Sequence, residues 1–349
     1  MNKEAIISII IPLYNGKKYV RDCISSVSKI KHLHEIIIID DGSTDGSFEF
    51  CKNEYYDNKN IKIFHKKNGG IASARNYGLQ VASGKFVMFV DQDDQIIAET
   101  IDKAAEILLR TKNQAVFWST YISRNGNEIA FGEVYRDFQL SKDEIIDSLI
   151  PKLIYNNKNK YISLLGSIWA GIYLKEFVAQ NDIAFKSFVC YEDDFIFILD
   201  FLAKAENIYL LKEVGYIWNQ NKNSRSHIYI TEENILEKNI QLYEYIFQKS
   251  KELDFSKEEK EKLKNYSCQQ IIENSIFYAC SCHKIDFKEL KKIKQLIEKR
   301  EYKQAFSIDI IEPFYESRTM IFSALKHNLF LLACIEAFAF SAYYEIIFS

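Results

Sequence analysis

Proline and glycine are scarce in this chain, with 3 and 12 residues respectively among 349. This composition predicts few flexible linkers, and the sequence shows no internal repeat and no low-complexity segment. The seven cysteines are scattered and none forms a C-x-x-C pair, which argues against a zinc site and favours reduced thiols over a disulfide framework. A net charge of −3 does not indicate the basic face that nucleic-acid binding usually needs.

Two phosphate-binding motifs are also missing. No G-x-G-x-x-G follows the first predicted strand, where Pro12-Leu13-Tyr14-Asn15-Gly16 stands instead, and no G-x-x-x-x-G-K-[ST] occurs. Their absence argues against a Rossmann dinucleotide site and excludes a P-loop. The first residues do not have the pattern of a signal peptide, so we expect a cytoplasmic protein.

The first half of the sequence alternates apolar runs with segments of helical periodicity. We predict strands at 6–11, 35–39, 61–64 and 85–90, with helices at 17–28, 46–56 and 71–81. This alternation is typical of βαβ units that form a parallel sheet. From about residue 231 long charged helices follow. The predicted fold class is therefore α/β, with a Rossmann-like, mostly parallel central sheet and a C-terminal α-helical region.

The strand predicted at 85–90 leads directly into the acids of Asp91-Gln92-Asp93-Asp94. Ligands of open α/β sheets bind just beyond the carboxyl ends of the strands. Three carboxylates there are unfavourable unless a cation or solvent satisfies them, and their hard oxygens suit Mg²⁺ or Mn²⁺ together with substrate phosphates. The segment predicts a metal-assisted reaction on a phosphorylated substrate. Asp94 could assist in it or face solvent, and facing solvent is the preferred interpretation.

Acids also follow the second predicted strand and precede a later helix. Asp40 and Asp41 could accept hydrogen bonds from a base or a ribose, or could merely cap the turn; for Asp45, capping is the preferred interpretation. Asp193 and Asp194 begin an apolar helical run, where the helix dipole alone favours acids. Taken alone, Asp40 and Asp41 therefore leave both roles open, whereas for Asp193 the structural role is the preferred interpretation.

Taken in order, five segments resemble the family 2 glycosyltransferases, which have the GT-A fold. The segments are Pro12-x-Tyr14-Asn15, Asp40 to Asp45, Asn68 to Gly78, Asp91 to Asp94, and Glu192-Asp193. They extend over roughly residues 5 to 220 and leave the last third of the chain uncovered. Each segment alone is weak, but their order and separation make the resemblance specific.

The resemblance implies a metal-dependent, inverting enzyme. It would move a hexose or N-acetylhexosamine from a UDP-sugar to a hydroxyl of a glycan or lipid-linked oligosaccharide, in bacterial surface polysaccharide synthesis. The expected GT-A domain covers 1–228, with a nucleotide-binding half at 1–113 and an acceptor-binding half at 114–228. The expected helical region covers 229–349.

The resemblance also implies roles for individual residues. Asp41 would recognise the base and Asp40 would support the turn or the ribose, while Arg75 would face the diphosphate or brace the carboxylates. Asp91 would contact ribose or sugar, Asp93 would hold Mn²⁺ or Mg²⁺, and Asp193 would be the catalytic base. The other expected nucleotide-sugar contacts are Pro12, Tyr14, Asn15 and Gln92. Glu192, Trp169 and Trp218 are candidate acceptor or donor contacts, and core packing is an equal alternative for both tryptophans.

Two positions depart from the family pattern and keep other functions open. Gly171 stands where the family often has lysine, and Asn219 stands where arginine is usual, for which Arg225 or His227 could substitute. These departures are compatible with a catalytically inactive scaffold that binds a nucleotide-sugar. A phosphatase with Asp91 as nucleophile is a further alternative, although that class has Thr or Val after its second aspartate.

Residues 328–348 are mostly apolar, but Glu336 and Glu345 argue against a transmembrane span. A helix packed into the core on all sides is the preferred interpretation. An interfacial helix beside the basic stretch 284–300 is the alternative, and it would place the protein on the cytoplasmic face of the inner membrane. A homodimer contact through the C-terminal helices is a third interpretation.

Overall fold

A computed structural model describes residues 6–124, 127–131, 136–155, 166–186, 193–220, 234–281, 284–308 and 316–348. The chain divides into two compact units. The first unit comprises 1–153, 159–187 and 191–221, and the second comprises 154–158, 188–190 and 222–349. The predicted domain boundary at 228 lies outside the described residues and stays a prediction.

The first unit is built on a ten-stranded sheet. Its strands are β1 (Ile7–Leu13), β2 (Leu33–Asp40), β3 (Ile61–His65), β4 (Phe86–Phe89), β5 (Gln95–Ile96), β6 (Ala115–Arg124), β7 (Asn127–Phe131), β8 (Phe138–Ser141), β9 (Gly171–Leu174) and β10 (Asn207–Asn219). Their order is β3-β2-β1-β4-β9-β6-β10-β5, with β7 on β6 and β8 on β10. Along this order only β9 and β5 run against the others. The predicted mostly parallel central sheet is confirmed.

The helices of this part of the chain connect the strands as predicted. They are α1 (Val20–Val27), α2 (Ser47–Glu54), α3 (Ile71–Val81), α4 (Ala98–Arg110), α5 (Lys142–Glu144), α6 (Ile150–Ile154), α7 (Lys175–Gln180) and α8 (Asp193–Lys204). A π-helical turn, Ile145–Leu149, joins α5 to α6, and a 3₁₀ turn, Ile168–Ala170, precedes β9. The helix predicted at 17–28 begins only at Val20, because residues 16–19 form a turn closed on the carbonyl of Gly16.

The core of the first unit lies along its central strands. All residues of β1 and β4 are buried, as are the isoleucines of β2, Ile36 to Ile39. Such runs, without alternation of apolar and polar residues, are typical of strands covered on both faces. Helix α3 packs closely on β1, since a Cβ atom at Gly78 would lie 2.3 Å from the Cγ2 of Ile10. Glycine at 78 therefore sets the spacing between this helix and the sheet.

The second unit is helical, which confirms the predicted C-terminal helical region. Its helices are α9 (Ile235–Glu252), α10 (Lys257–Ala279), α11 (Phe287–Ile297), α12 (Arg300–Ser307), α13 (Glu316–Lys326) and α14 (Phe330–Phe348), and a ribbon of β11 (Cys280–Ser281) and β12 (Lys284–Ile285) lies between α10 and α11. A capping box of Ser256 and Glu259 begins α10. Within the described ranges, no helix combines the length and the apolar composition that crossing a bilayer requires.

Helix α14 corrects one expectation. The prediction that its apolar residues pack in the core on all sides is wrong: Ala333 and Ala337 are buried, whereas Leu331 and Ile335 are exposed. The physical reason is that, over the side chains described at 330–339, the face with Ala333 and Ala337 is the one that lies against other parts of this unit. The opposite face leaves large apolar side chains in solvent.

A buried carboxylate joins three segments of the first unit. Glu35 on β2 accepts hydrogen bonds from the Ser8 hydroxyl at 2.6 Å and from the backbone N–H of Ser83 at 2.7 Å, and it pairs with the Lys62 ammonium at 2.6 Å. Burial opposes its charge, but Lys62 and these hydrogen bonds outweigh burial and lower the pKa of Glu35 to about 2. The ionised form is therefore the one that the fold stabilises.

Glu35→Gln should change how stability depends on acid. Because the folded pKa lies below the ordinary 4.5, the contribution of Glu35 is complete above about pH 4.5 and is lost as the pH falls towards about 2. We expect the variant to be less stable than the wild type at pH 7 and the difference to shrink across that window. Urea unfolding between pH 7 and pH 2 measures it, with Glu99→Gln on the exposed side of α4 as control. A constant difference at every pH would contradict this role of Glu35.

Candidate functional site

The predicted site residues of the first unit converge at one edge of the sheet. β1, β2, β4 and β10 run in the same direction, so the segments after their last residues lie at the same edge. Hydrogen bonds tie these segments to one another. The side-chain amide of Gln92 accepts from the backbone N–H of Tyr14 at 2.8 Å and donates to its carbonyl at 3.1 Å. Gln92 thus joins the end of β1 to the loop that follows β4.

The segment after β1 presents one side chain to solvent and uses another for structure. Tyr14 is 49% exposed, whereas Pro12 is buried within the strand. Asn15, with φ of 50°, accepts a hydrogen bond from the Thr44 backbone at 2.8 Å and donates its own N–H to the Ser43 hydroxyl at 2.9 Å. Asn15 is also exposed, but its side chain accepts a hydrogen bond from Thr44, so the Tyr14 ring is the group of this segment that we expect to contact a ligand.

Asp40 and Asp41 hold neighbouring loops in place. The Asp41 carboxylate accepts the backbone N–H groups of Gly69 at 3.0 Å and Gly70 at 2.8 Å, and it pairs with the Lys66 ammonium. Gly70, with φ of 83°, adopts a conformation that favours glycine, and α3 begins directly after it. Asp41 thereby fixes the start of the helix that carries Arg75.

Asp40 has one bonded and one unbonded oxygen. Its Oδ2 atom lies 2.6 Å from the Nδ1 of His65 on β3 and accepts the Ser43 N–H at 3.2 Å. Within the described residues, its buried Oδ1 atom has no hydrogen-bond partner.

Asp45 accepts N–H groups of Ser47 at 2.9 Å and Lys17 at 3.1 Å, so its predicted capping role is confirmed.

Arg75 is the centre of the site. Its guanidinium is 2% exposed and donates from Nη2 to Asp91 at 3.0 Å, from Nη1 to Asp193 at 3.1 Å, and from Nη1 to Asp194. Burial opposes its charge, but the carboxylates of Asp194, Asp91 and Asp193 outweigh burial and raise the pKa of Arg75 above its ordinary value. Arg75 was expected either to face the diphosphate or to brace the carboxylates. The structure contains the second arrangement.

The acids at the start of α8 meet this guanidinium from the opposite side. Asp193 is buried, and Asp194 also accepts the backbone N–H of Ile168 at 3.1 Å, which anchors the turn before β9. Burial, against the opposing charge of Arg75, raises the pKa of Asp194. Glu192 lies outside the described residues, as do Arg225 and His227. Arg75 therefore contacts both the predicted base, Asp193, and Asp91 of the acidic loop after β4.

The prediction that Asp94 faces solvent is wrong. Its side chain is 2% exposed, because it accepts the Tyr216 hydroxyl at 2.8 Å and the backbone N–H of Asn219 at 2.8 Å from the end of β10. The same Tyr216 hydroxyl accepts the N–H of Asp91 at 3.1 Å. Burial, with the charges of Asp93 and Asp91, raises the pKa of Asp94 well above its usual range. Asp94 therefore joins β10 to the acidic loop.

The two departures from the family pattern have structural explanations. Asn219 donates its side-chain amide to the carbonyl of Asp93 at 3.0 Å, so this residue braces the acidic loop instead of supplying a charge. A Cβ atom at Gly171 would lie 2.9 Å from the ring of Phe117, so a lysine there would require this buried ring to move.

The two tryptophans lie on the β10 side of the site. Trp169 is buried and stacks on the ring of Tyr216, with centroids 4.5 Å apart and planes inclined by 13°. Trp218 lies 6.4 Å from Trp169 and is partly exposed. Core packing is therefore the observed role of Trp169, while Trp218 retains accessible surface.

Several residues of the site were not singled out from the sequence. The Asn76 amide pairs with the backbone of Phe185 through two hydrogen bonds of 2.9 Å, and the Phe185 ring lies 5.3 Å from the Arg75 guanidinium. Asn76 and Gly78 lie in the family-like segment Asn68 to Gly78 that also contains Arg75. Their position in that segment was the sequence signal that could have pointed to a role in the site. Tyr216 stands in the same family segment as Asn219, but its hydrogen bond to Asp94 is brought about by the fold.

Oxygen ligands for a divalent cation are available in the loop after β4. Asp91 has 27% of its side chain exposed and Asp93 is partly exposed. In the part of the chain that the structure describes, no three His, Cys, Asp or Glu side chains form a complete metal cluster. This donor set fits Mg²⁺ or Mn²⁺, which are commonly held by one or two carboxylates and completed by substrate phosphates.

Comparison with known proteins identifies the family. Residues 8–168 match glycosyl transferase family 2. The uncharacterized glycosyltransferase EpsJ of Bacillus subtilis is 26% identical over 227 residues, which cover 64% of this chain and 63% of EpsJ. The poly(ribitol-phosphate) β-N-acetylglucosaminyltransferase TarS of Staphylococcus aureus is 27% identical over 240 residues, which cover 66% of this chain and 38% of TarS. The sequence match thus spans less than two thirds of either relative.

Solved structures agree with the sequence match. Crystal structures of S. aureus TarS 1–349 in complex with UDP and with UDP-GlcNAc share the fold, with TM-scores of 0.62 and 0.64 at 20% identity. They cover 98% and 97% of this chain, and 90% and 92% of their own chains. Residues 8–168 of the chain belong to glycosyl transferase family 2, and the fold is the GT-A fold, as the resemblance predicted.

Tyr216→Phe should destabilise the first unit although it removes a single atom. The change leaves the buried Asp94 carboxylate and the Asp91 N–H without a shared partner, and such unsatisfied groups cost about 1–3 kcal/mol. Denaturant unfolding with an unchanged m-value checks this loss of stability. Tyr56→Phe, at a tyrosine that is 80% exposed, is the matched control and should change stability by less than about 0.5 kcal/mol. Equal effects of the two changes would show that the hydroxyl bridge is not stabilising.

Proposed function

We propose that this protein catalyses metal-dependent, inverting transfer of a hexose or N-acetylhexosamine from a UDP-sugar to an acceptor hydroxyl. The observation that carries the proposal is the sharing of Arg75 between Asp91, which follows β4, and Asp193, which begins α8. One buried cation holds the acidic loop and the candidate base in a fixed relation. A displacement that attacks one face of a sugar while a diphosphate leaves from the other needs these two groups on either side of the reacting carbon.

The donor assignment rests on the fold and on the loops at the sheet edge. TarS, whose fold this chain shares, has been crystallised with UDP and with UDP-GlcNAc. In this chain the exposed Tyr14 ring could contact a nucleoside, whereas the buried Asp40 would support the turn through its hydrogen bond from Ser43. The hydrogen bonds of Asp41 to Gly69 and Gly70 support a role in shaping this pocket, and base recognition through Asp41 would require part of them to be replaced.

The charge balance supports a divalent cation beside the acidic loop. Arg75 pairs with Asp91, Asp193 and Asp194, and Asp93 and Asp94 stand in the same loop as Asp91, so carboxyl groups outnumber the guanidinium at this edge of the sheet. Asp93, together with Asp91, would hold Mn²⁺ or Mg²⁺. When bound, the cation neutralises charge that develops on the departing diphosphate. Asp94, Tyr216 and Asn219 keep the loop in position for this contact.

The chemical step uses Asp193 as general base. Its carboxylate accepts the proton of the acceptor hydroxyl, whose oxygen then forms a bond to the anomeric carbon as the bond from that carbon to the UDP oxygen breaks. Arg75 orients the carboxylate, and Asp194 fixes the turn that carries Trp169. Trp218, with accessible surface near this turn, is a candidate contact for a sugar ring.

The acceptor is a glycan or lipid-linked glycan of bacterial surface polysaccharide synthesis in this proposal, and the reaction takes place in the cytoplasm. The catalytic domain is assigned to 1–228, with nucleotide binding in 1–113 and acceptor binding in 114–228. A calorimetric screen of nucleoside diphosphate sugars with Mn²⁺, followed by transfer assays on a panel of acceptors, tests it. Absence of binding by every UDP-sugar would refute the donor assignment. Binding without transfer or hydrolysis would instead favour an inactive scaffold.

Asp193→Asn should abolish transfer while leaving UDP binding intact. The amide retains the size of the carboxylate but cannot take the acceptor proton, and loss of a general base lowers the rate by about 10²–10⁴-fold. Measured quantities are kcat for transfer and Kd for UDP with Mn²⁺. Asp22→Asn on the exposed face of α1 is the control. A variant that loses UDP binding would contradict the assignment of Asp193 to the acceptor side.

Asp93→Ala should weaken nucleotide binding mainly when metal is present. If Asp93 holds the cation that joins the diphosphate to the loop, the wild type should bind UDP more tightly with Mn²⁺, and the variant should lose most of that gain. Isothermal titration with Mn²⁺ and with a chelator gives the four Kd values required. A uniform loss of affinity in both conditions would show that Asp93 contacts the nucleotide directly or supports the fold.

A further inference from the structure

An apolar stripe runs along the exposed face of α14 in the second unit. Leu331, Ile335 and Phe338 recur at helical spacing and are 74%, 55% and 40% exposed, whereas Ala333 and Ala337 on the other face are buried. Further exposed apolar residues, Met320, Leu329 and Leu332, lie on α13, before α14 and on α14 itself. Single exposed leucines are common, but a contiguous apolar stripe marks an interaction surface.

The ribbon of β11 and β12 continues this surface towards α11. Cys334 borders the stripe, and α14 packs against β11, which begins at Cys280. Cys280 is paired directly with Ile285 on β12. Residues paired in this way have their side chains on the same face of a ribbon, about 5 Å apart. Since Ile285 is exposed, the apolar surface extends from α14 to the start of α11.

Positive charge adjoins the apolar residues at that point. Phe287, the first residue of α11, is 76% exposed, and Lys288 and Lys291 are exposed on the same side of the helix. Lys292 on α11 pairs with Glu289, and Lys303 on α12 pairs with Glu298. Among the residues described here, neither Lys288 nor Lys291 has an ion pair. The chain as a whole carries a net charge of −3, so this cationic region contrasts with the rest of the molecule.

We propose that this surface binds an anionic lipid bilayer. It is defined by Leu331, Ile335 and Phe338 of α14, by Ile285 and Phe287, and by the cationic pair Lys288 and Lys291. Apolar side chains beside lysines without carboxylate partners complement a boundary where acyl chains lie under negative headgroups. A second copy of the chain complements the surface less well, because a two-fold contact places the same cationic pair on both sides of the interface.

Vesicle binding by the full chain tests the proposal. We expect co-sedimentation with vesicles of phosphatidylglycerol and phosphatidylcholine, much weaker binding to phosphatidylcholine alone, and a decrease of binding with added salt. Combining Lys288→Gln with Lys291→Gln should lower partitioning into the anionic vesicles about 30-fold, given the usual contribution of each lysine near such a surface. Combining Leu331→Gln with Ile335→Gln should lower it at least about tenfold through lost apolar burial.

Lys52→Gln combined with Lys59→Gln is the matched control. Both lysines are exposed in the first unit, and the double change alters net charge by the same amount. The control should retain wild-type partitioning within about twofold. Far-ultraviolet circular dichroism and thermal melting establish that each variant is folded, so that lost binding is not lost structure.

Three outcomes would overturn the proposal. They are wild-type protein that does not bind anionic vesicles, binding that both surface variants retain, and a dimer in analytical ultracentrifugation that Leu331→Gln with Ile335→Gln dissociates without any vesicle binding. The last result would assign the surface to a second copy of the chain. The experiment does not depend on sugar transfer, so a failed transfer assay would leave this inference untouched.

Discussion

A single buried guanidinium sets the geometry on which the candidate site depends. Arg75 contacts carboxylates from the loop after β4 and from the start of α8, which are about a hundred residues apart along the chain. Burying a charge is favourable only when partners compensate it, so the guanidinium and the carboxylates hold one another in place. Arginine suits this position because its planar fork can donate to several acceptors at once, which a lysine ammonium on a flexible chain does less well.

Around this centre, further hydrogen bonds hold the loops in place. Gln92 joins the acidic loop to the end of β1, and the Tyr216 hydroxyl joins it to β10. Asp41 secures the loop before α3 through the N–H groups of Gly69 and Gly70. A rigid set of supporting contacts of this kind keeps reacting groups within the small tolerances that catalysis requires. The candidate site is therefore formed by the loops that follow several strands, and no single motif defines it.

Much of the fold could be predicted because its signals are local. The uninterrupted apolar residues of β4 and the alternation of strands with helices depend only on neighbouring residues, and both predictions were confirmed. Asp94 was mispredicted because its partners, Tyr216 and Asn219, follow more than 120 residues later. Helix α14 was mispredicted for a related reason: composition reports how apolar a helix is, but tertiary packing decides which of its faces are covered.

The close approach of α3 to β1 has a consequence for the chemistry at the sheet edge. Gly78 lies one turn after Arg75 on the same helix, so the gap left by its missing side chain determines how near the guanidinium comes to the strands. The distance between a cation and its acids is here governed from the protein interior, by van der Waals contact with Ile10. A methyl group added at this glycine would push α3 away from β1 and so displace Arg75, although it touches none of the acidic residues.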